Sequence, residues 1–323
     1  MPASPHPWLP QSVQWLSSRT AYVFETQRCG ARTCARLLLT TDDGLHFKAQ
    51  PAASAAGVLT FANIEDAYRT VGAGGLRNAL FQSDDAAKSW RAVSFGKGTT
   101  VYALTTSDDR VYAVVLRCTG VYACSDYRLY RSSAGSPSWT SSAIPDTGGL
   151  HGSTAGLAAF GRDVWVSFSN GGPATMLFSG NEGRSFSVVA TGIPGIGCWP
   201  AATSSTVVWL SCDTGNYGHW SRSSDGGRTF PGLPLAGDNA SRLEAVSDSV
   251  AIFQRATLPV ALERTTNGGK TFLPVATPLV PAGAGLSVAF GDDLHGLAIV
   301  RGAADGSLWR TSNGGLTWSQ AAP

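Results

Sequence analysis

The stretch Ser223-Ser-Asp225-Gly-Gly227-Arg-Thr229-Phe230 decides the fold, because it recurs along the chain. Close copies are Thr265-Thr-Asn267-Gly-Gly269-Lys-Thr271-Phe272 and Thr311-Ser-Asn313-Gly-Gly315-Leu-Thr317-Trp318. Another keeps Ser179, Asn181, Gly183, Ser185 and Phe186. The shared order is hydroxyl, any, Asp or Asn, any, Gly, any, hydroxyl, aromatic; we call this unit a box. Three weaker copies begin at Thr40, Ser83 and Ser132. The first has His46 in place of the second hydroxyl, and the second has Ala87 in place of Gly. The third has lost both Asp and Gly, to Ala134 and Ser136, and keeps Ser132, Ser138 and Trp139. Successive boxes start 43, 49, 47, 44, 42 and 46 residues apart. Such near-constant spacing marks a repeat architecture.

Each position of the box has a physical reason. The unit suits a tight turn between antiparallel strands. The Asp or Asn side chain accepts from turn amides that lack a ladder partner. Gly permits a positive φ. The aromatic residue opens the next strand and packs into the sheet. Strand-like runs surround every box. In the last repeat they are Leu286–Phe290, Gly296–Val300, Ser307–Arg310 and Thr317–Ser319; in the first, Val13–Leu16, Ala21–Phe24, Arg36–Leu39 and Phe47–Ala49. Four strands per unit is propeller geometry. The fold expected is therefore all-β: one seven-bladed β-propeller over residues 1–323, with four antiparallel strands per blade and the box between the third and fourth strands. Every repeat holds its own strands, so ring closure should need no exchange of a terminal strand.

Composition agrees. Hydrophobic residues are 43%, charged residues only 14%, and there are 38 Gly and 17 Pro, as many short strands and tight turns require. A net charge of +2 is too small to point to nucleic acid or an anionic membrane. No apolar run has the length of a spanning helix. The opening Met1-Pro2-Ala3-Ser4-Pro5-His6-Pro7 does not read as a signal peptide. That leaves a cytosolic protein, or a mature chain of a secreted or cell-surface one.

The six cysteines favour the second. Six allow 15 pairings, but a hairpin reading selects one. With the turn centred on Ser205, antiparallel partners sum to 410, which sets Cys198 opposite Cys212, close enough for a disulfide. Cys29 with Cys34 and Cys118 with Cys124 complete the set. The competing reading is six buried thiols. Zinc is disfavoured, since no C-x₂-C pair exists. Disulfides imply an oxidising compartment.

These boxes resemble the bacterial neuraminidase repeat, or Asp-box, family, and the resemblance covers nearly the whole chain. It implies a propeller with boxes on the outer rim, away from the ligand face. It implies no single activity, since relatives include sialidases, xyloglucan-degrading glycosidases, sortilin-type receptors and a photosystem II assembly factor. The sialidase branch is disfavoured. Its aromatic-Arg-Ile-Pro segment is absent, the Ile-Pro pairs at Ile144-Pro145 and Ile193-Pro194 lack the Arg, and that fold has six blades. Three disulfides sit poorly with a photosynthetic role.

Ligands of propellers usually meet the face formed by loops between second and third strands and between blades. The proposed disulfides fall on or end in these loops, which they would stiffen. Arg117, Arg255 and Arg301 each end a second strand, and ring symmetry is expected to bring them together as an anion site. The competing reading is solvated strand ends paired with local acids. Tyr122, Tyr127, Trp199 and Tyr217 also fall on these loops and could stack on sugars. Candidate acids are Glu25, Asp126, Asp146 and Asp213, with His151 and His219 nearby. No hydrolase elbow, zincin, P-loop or Rossmann motif is present, and the Gly-rich Val71–Arg77 has no following helix. The leading reading is an extracytoplasmic binding propeller for a polar or anionic ligand, a glycan foremost. It would act as a monomer without cofactor, metal, nucleic acid or membrane span. The alternatives are a glycan-active hydrolase or lyase, and a scaffold for protein assembly.

Overall fold

The computed structural model describes residues 8–51, 57–72, 78–119, 124–146, 154–169, 173–194, 197–213, 218–233, 240–255, 259–302 and 305–321. They form seven antiparallel sheets, each threaded in sequence order. Blade 1 holds β1 (Leu9–Trp15), β2 (Ala21–Cys29), β3 (Arg32–Thr40) and β4 (Lys48–Pro51). Blade 2 holds β5 (Val58–Phe61), β6 (Ala67–Gly72), β7 (Asn78–Ser83) and β8 (Arg91–Val93). Blade 3 holds β9 (Thr99–Ser107), β10 (Arg110–Cys118), β11 (Cys124–Ser133) and β12 (Thr140–Ala143). Blade 4 holds β13 (Thr154–Phe160), β14 (Asp163–Ser169), β15 (Pro173–Ser179) and β16 (Ser187–Pro194). Blade 5 holds β17 (Gly197–Ala202), β18 (Val208–Asp213) and β19 (Gly218–Ser223); among the described residues its fourth strand is the bridge Ser221↔Gly232. Blade 6 holds β20 (Ala240–Ala245), β21 (Ala251–Arg255), β22 (Ala261–Thr265) and β23 (Leu273–Val275), and blade 7 holds β24 (Gly285–Phe290), β25 (Gly296–Arg301), β26 (Gly306–Thr311) and β27 (Ser319–Gln320). The all-β seven-bladed propeller is as the repeat implies.

Second strands are heavily buried. In β10, Val111 through Leu116 are all buried. Fourth strands begin later than the sequence suggests. β27 starts at Ser319 rather than Thr317, because Asn313 Oδ1 holds the Thr317 amide in the turn at 2.9 Å.

The boxes join third to fourth strands and share one bonding scheme. The first hydroxyl accepts from the amide four residues on, at Gly44, Ala87, Gly183, Gly227, Gly269 and Gly315, over 2.8–2.9 Å. The Asp or Asn Oδ1 accepts from the amide at the second hydroxyl position, over 2.9–3.0 Å. The amide one residue before the first of these donates to the turn joining first and second strands of the same blade, as in Gly226 N to Thr206 O at 2.8 Å. Two consecutive residues take positive φ, and Ala86 and Ala87 do so without being glycine, at 60° and 65°. His46 fills the hydroxyl position functionally too, with Nδ1 2.7 Å from Asp42 Oδ2. The third box departs: the Ser132 hydroxyl donates to Ser138 O at 2.8 Å instead of accepting, and the amide reaching the inner turn is Ala134, one residue early.

Blades interlock through one repeated position, the residue after the one paired with the box hydroxyl. It is Tyr22, Tyr68, Tyr112, Trp165, Trp209, Ile252 or Leu297, and all seven are buried. Trp165 Nε1 donates to Gly226 O of the next box at 3.0 Å, and Tyr68 Oη accepts from the Gly135 amide at 3.2 Å. The ring closes by side chains. Ala21, Val23 and Leu38 share a core with Leu297, Ile299 and Leu308, and Trp15 Nε1 donates to Ala289 O at 3.0 Å. Among the described strands none passes from one terminal blade into the other.

Candidate functional site

The three disulfides are Cys29–Cys34, Cys118–Cys124 and Cys198–Cys212, and no cysteine is free. Cys198 stands directly opposite Cys212, as the hairpin arithmetic requires, and Cys118 opposite Cys124. The first two clasp hairpins between second and third strands. The third ties a first strand to its second on the same face, so one face of the ring is braced at blades 1, 3 and 5.

The three arginines on that face do not occupy equivalent positions. Counted from the residue opposite each box hydroxyl, Arg255 is fifth, Arg301 sixth and Arg117 seventh, the last beyond a bulge. Side chains alternate along a strand, so a shared place in the sequence order carries no shared direction. Each guanidinium has its own partner. Arg255 grips Glu263 with two bonds of 2.8 and 3.1 Å. Arg117 lies 3.8 Å from Asp126, which also pairs with Arg128 at 3.1 Å. Arg301 Nη1 donates to Gln11 Oε1 of blade 1 at 3.0 Å. Two of the three are thus strand ends paired with an acid of their own blade, and the convergent anion site loses its geometric argument.

The remaining sequence candidates separate by burial. Trp199 is 49% exposed, a large ring presented to solvent beside the Cys198 bridge. Tyr127 is buried edge-on against Phe168, with centroids 5.5 Å apart, so it is core. Tyr122, Tyr217 and His151 lie outside the described residues. Glu25 is 1% exposed and held by Arg36 Nε at 2.6 Å, and that guanidinium lies 4.6 Å from the Trp8 ring centroid. His219 is an exposed residue opposite Cys212. Asp146 and Asp213 each have interaction partners. Among the described residues no group of three His, Cys, Asp or Glu could hold a metal, and no helix is long and apolar enough to cross a membrane.

The site that sequence reasoning missed lies on the axis. A cavity of about 300 Å³ runs along the inner strands of blades 6, 7 and 1, between Arg301 and Gln11 toward the loop face and Glu244 and Ala289 toward the box face. Ser12 and Ser287 add hydroxyls to its wall. At about 3.4 Å per residue, the wall from Gly285 to Ala289 is roughly 14 Å long. The signal was present in the sequence as alternation. Leu286, Val288 and Phe290 join the core, and Ser287 and Ala289 alternate with them along β24, though Leu286 and Val288 border the cavity too. The lining carries one positive and one negative charge with several neutral polar groups, a wall that suits a neutral polyhydroxyl ligand better than an anion.

No protein-family model matches the sequence, and no curated protein is similar enough to count as a relative. Solved structures match the fold. A GH74 xyloglucanase from Xanthomonas campestris is 16% identical at a TM-score of 0.56, over 82% of this chain and 45% of that one. This chain therefore spans less than half of the enzyme's length. YCF48 from Cyanidioschyzon merolae is 14% identical at 0.55, over 84% and 86%. The β-propeller domain of the Trilobed protease from Pyrococcus furiosus, described as having an open velcro topology, is 9% identical at 0.66, over 99% and 97%. At these identities the likeness is one of fold: this chain is a seven-bladed β-propeller with structural neighbours among the GH74 and YCF48 propellers.

Proposed function

We propose that this protein is an extracytoplasmic member of the Asp-box repeat family that binds a neutral glycan in the axial cavity. Trp199 offers a stacking face at the braced rim, and Arg301, Gln11 and Ser287 serve as polar contacts. The observation that carries the reading is the cavity itself: about 300 Å³, lined by Gln11, Ser12, Glu244, Ser287 and Arg301 among apolar residues, with Gln11 and Arg301 toward the face that three disulfides brace. A stiff rim reduces the ordering cost of binding. The disulfides support an oxidising compartment. The bonding scheme shared by six boxes supports the family reading. Arg117 and Arg255 are left out of the site because acids of their own blades hold them. Binding is favoured over hydrolysis because the described lining holds one carboxylate, Glu244, whereas paired-carboxylate hydrolysis needs two at about 5–9.5 Å.

The test is a panel of oligosaccharides against the full chain, xyloglucan fragments first, read for both binding and release of reducing ends. Binding without release is expected. Ser287→Trp, which fills the cavity, should weaken it at least tenfold, and Arg301→Ala about two- to tenfold, the worth of one hydrogen bond. Binding indifferent to Ser287→Trp would remove the axial site. Release of reducing ends would make the protein an enzyme.

A further inference from the structure

Box 4 gathers arginines from two blades around one acid, where blades 3 and 4 meet. Boxes 5, 6 and 7 hold Gly226, Gly268 and Gly314 at their first left-handed position, with φ of 70–74°; box 4 holds Glu182 there, at 63°. That conformation disfavours a side chain, yet Glu182 is kept and is buried. Phe186 of the same box packs with Tyr112 and Leu129 of blade 3, so the box lies on the seam.

Three guanidinium groups share this carboxylate. Arg184 Nη2 donates to Oε2 at 3.0 Å. Arg110 Nη2 and Arg162 Nε lie 3.6 and 3.9 Å from Oε1, too far for hydrogen bonds. Arg131 is a fourth. In blades 5, 6 and 7 the residue before the box hydroxyl is Arg222, Arg264 or Arg310. Each crosses the seam to a carbonyl of the next blade: Asp248 O at 2.9 Å, Asp293 O at 2.7 Å and Asp43 O at 2.6 Å. Arg131 holds the same place in blade 3 but donates to Ser142 Oγ of its own blade at 2.8 Å. Burial and the like charges of Arg184 and Arg110 push the Arg131 pKa down, against the pull of Glu182.

One carboxylate balances one of these charges. Asp108 and Asp163 lie at the edges of the cluster, within electrostatic reach of Tyr112 and of Arg162. The arginines are open to a ligand: the side chains of Arg110, Arg162 and Arg184 are 45%, 66% and 56% exposed. Each guanidinium carries five N–H donors, more than Glu182 can take up.

We propose that this seam binds a phosphate or sulfate group, free or as an ester, with Arg110, Arg162 and Arg184 donating to its oxygens and the less exposed Arg131 adding positive charge. Guanidinium groups suit such oxyanions, and a tetrahedral group can accept from several at once where a planar carboxylate is limited to fewer. The site is separate from the axial cavity and does not depend on it.

Titration of the full chain at low ionic strength, followed by calorimetry and by thermal shift, tests this with inorganic phosphate, glucose 6-phosphate and glucose 6-sulfate as probes. Binding at millimolar concentration is expected, and should fade as salt screens it. Arg162→Gln and Arg184→Gln should each weaken it about two- to fivefold, the worth of an exposed charge contact, and the double variant about fivefold or more. Both side chains are exposed, so the double variant should keep its fold. Glu182→Gln removes the competing charge and should tighten binding about two- to fivefold. Ser287→Trp should leave binding unchanged. An ester that binds at least tenfold more tightly than inorganic phosphate identifies an esterified ligand, and equal binding identifies the free ion; either upholds the site. No heat and no thermal shift with any probe overturns the proposal. So does binding indifferent to the double variant, or a Glu182→Gln protein that binds no better. Binding lost in Arg301→Ala but kept in the double variant would put the anion in the axial cavity and remove this site.

Discussion

At the scale of the residue, Asp225 carries the most information. Its Oδ1 accepts from Ser223 Oγ at 2.7 Å, Arg228 N at 2.9 Å and Thr229 N at 3.0 Å, while Oδ2 accepts from Thr229 Oγ1 at 2.7 Å. Burial would raise this carboxyl's pKa, but the bonds from Ser223, Thr229 and Arg228 outweigh it and hold the pKa well below the usual range. Asp42 and Asp85 are likewise lowered to about 2, the first chiefly by the His46 amide and the second chiefly by the Ser89 hydroxyl. A depressed folded pKa gives stability that is present above the unfolded value of about 3.9 and is lost as pH falls through the folded value. The fold should therefore weaken between about pH 4 and pH 2. Asp225→Ala should cost about 1–3 kcal/mol at neutral pH, the usual loss for donors left unpaired. Asp225→Asn should cost less. Boxes 6 and 7 already use Asn, whose Nδ2 donates 2.8 Å to the hydroxyl that Asp225 accepts from. The Asn variant should also show a shallower acid limb. Urea denaturation at neutral pH and through the acid range checks both, and equal slopes for wild type and Asn would contradict the assignment.

At the scale of the element, the box is less a free turn than a lid on its neighbour. Gly227 has φ 82°, and a β-carbon there would stand 2.6 Å from Trp165 Nε1, which is itself buried and bonded to the same turn. Gly30 has a similar φ of 63° in the clasped β2–β3 hairpin, with nothing within 4 Å. Gly30→Ala should cost about 1–2 kcal/mol, the left-handed penalty alone. Gly227→Ala should cost about 2–4 kcal/mol, because overpacking against a ring that cannot retreat adds to it. Matched thermal melts of the two variants separate backbone strain from contact between blades; equal losses would mean that Trp165 yields. Ala87 in the second box takes the same left-handed backbone, at φ 65°, and is fully buried in a core that includes Tyr22 and Phe61.

At the scale of the whole molecule, none of the described strands is shared between the terminal blades, so the closure rests on a side-chain seam. Gly291 sits in that seam, where an added β-carbon would lie 2.5 Å from Trp15 Cε3 and 2.9 Å from Ser17 O. Gly291→Ala should cost about 1–3 kcal/mol by overpacking and hasten amide exchange first in β1 and β24. Gly232→Ala, with nothing within 4 Å, should change stability by less than about 0.5 kcal/mol. Exchange that rises uniformly around the ring would show that the seam is no weaker than any other interface. Arg310 reaching Asp43 O and Arg301 reaching Gln11 cross the same seam, so one wall of the axial cavity is built from the closure itself. A ligand there should stabilise the ring against opening.

The sequence by itself determined the blades, the boxes and the cysteine pairs, because each is a local matter. A turn needs its acceptor and its positive φ within a few residues, and Cys198 meets Cys212 through one hairpin. It did not determine the site, because a site in a ring is made by elements from different blades. Arg117, Arg255 and Arg301 look alike in the chain, yet counted from the residue opposite the box hydroxyl they stand seventh, fifth and sixth, and Arg117 and Arg255 lie against acids of their own blades. The axial cavity joins Gln11 to Glu244 and Arg301, residues far apart in the chain, and only ring closure sets them on one wall.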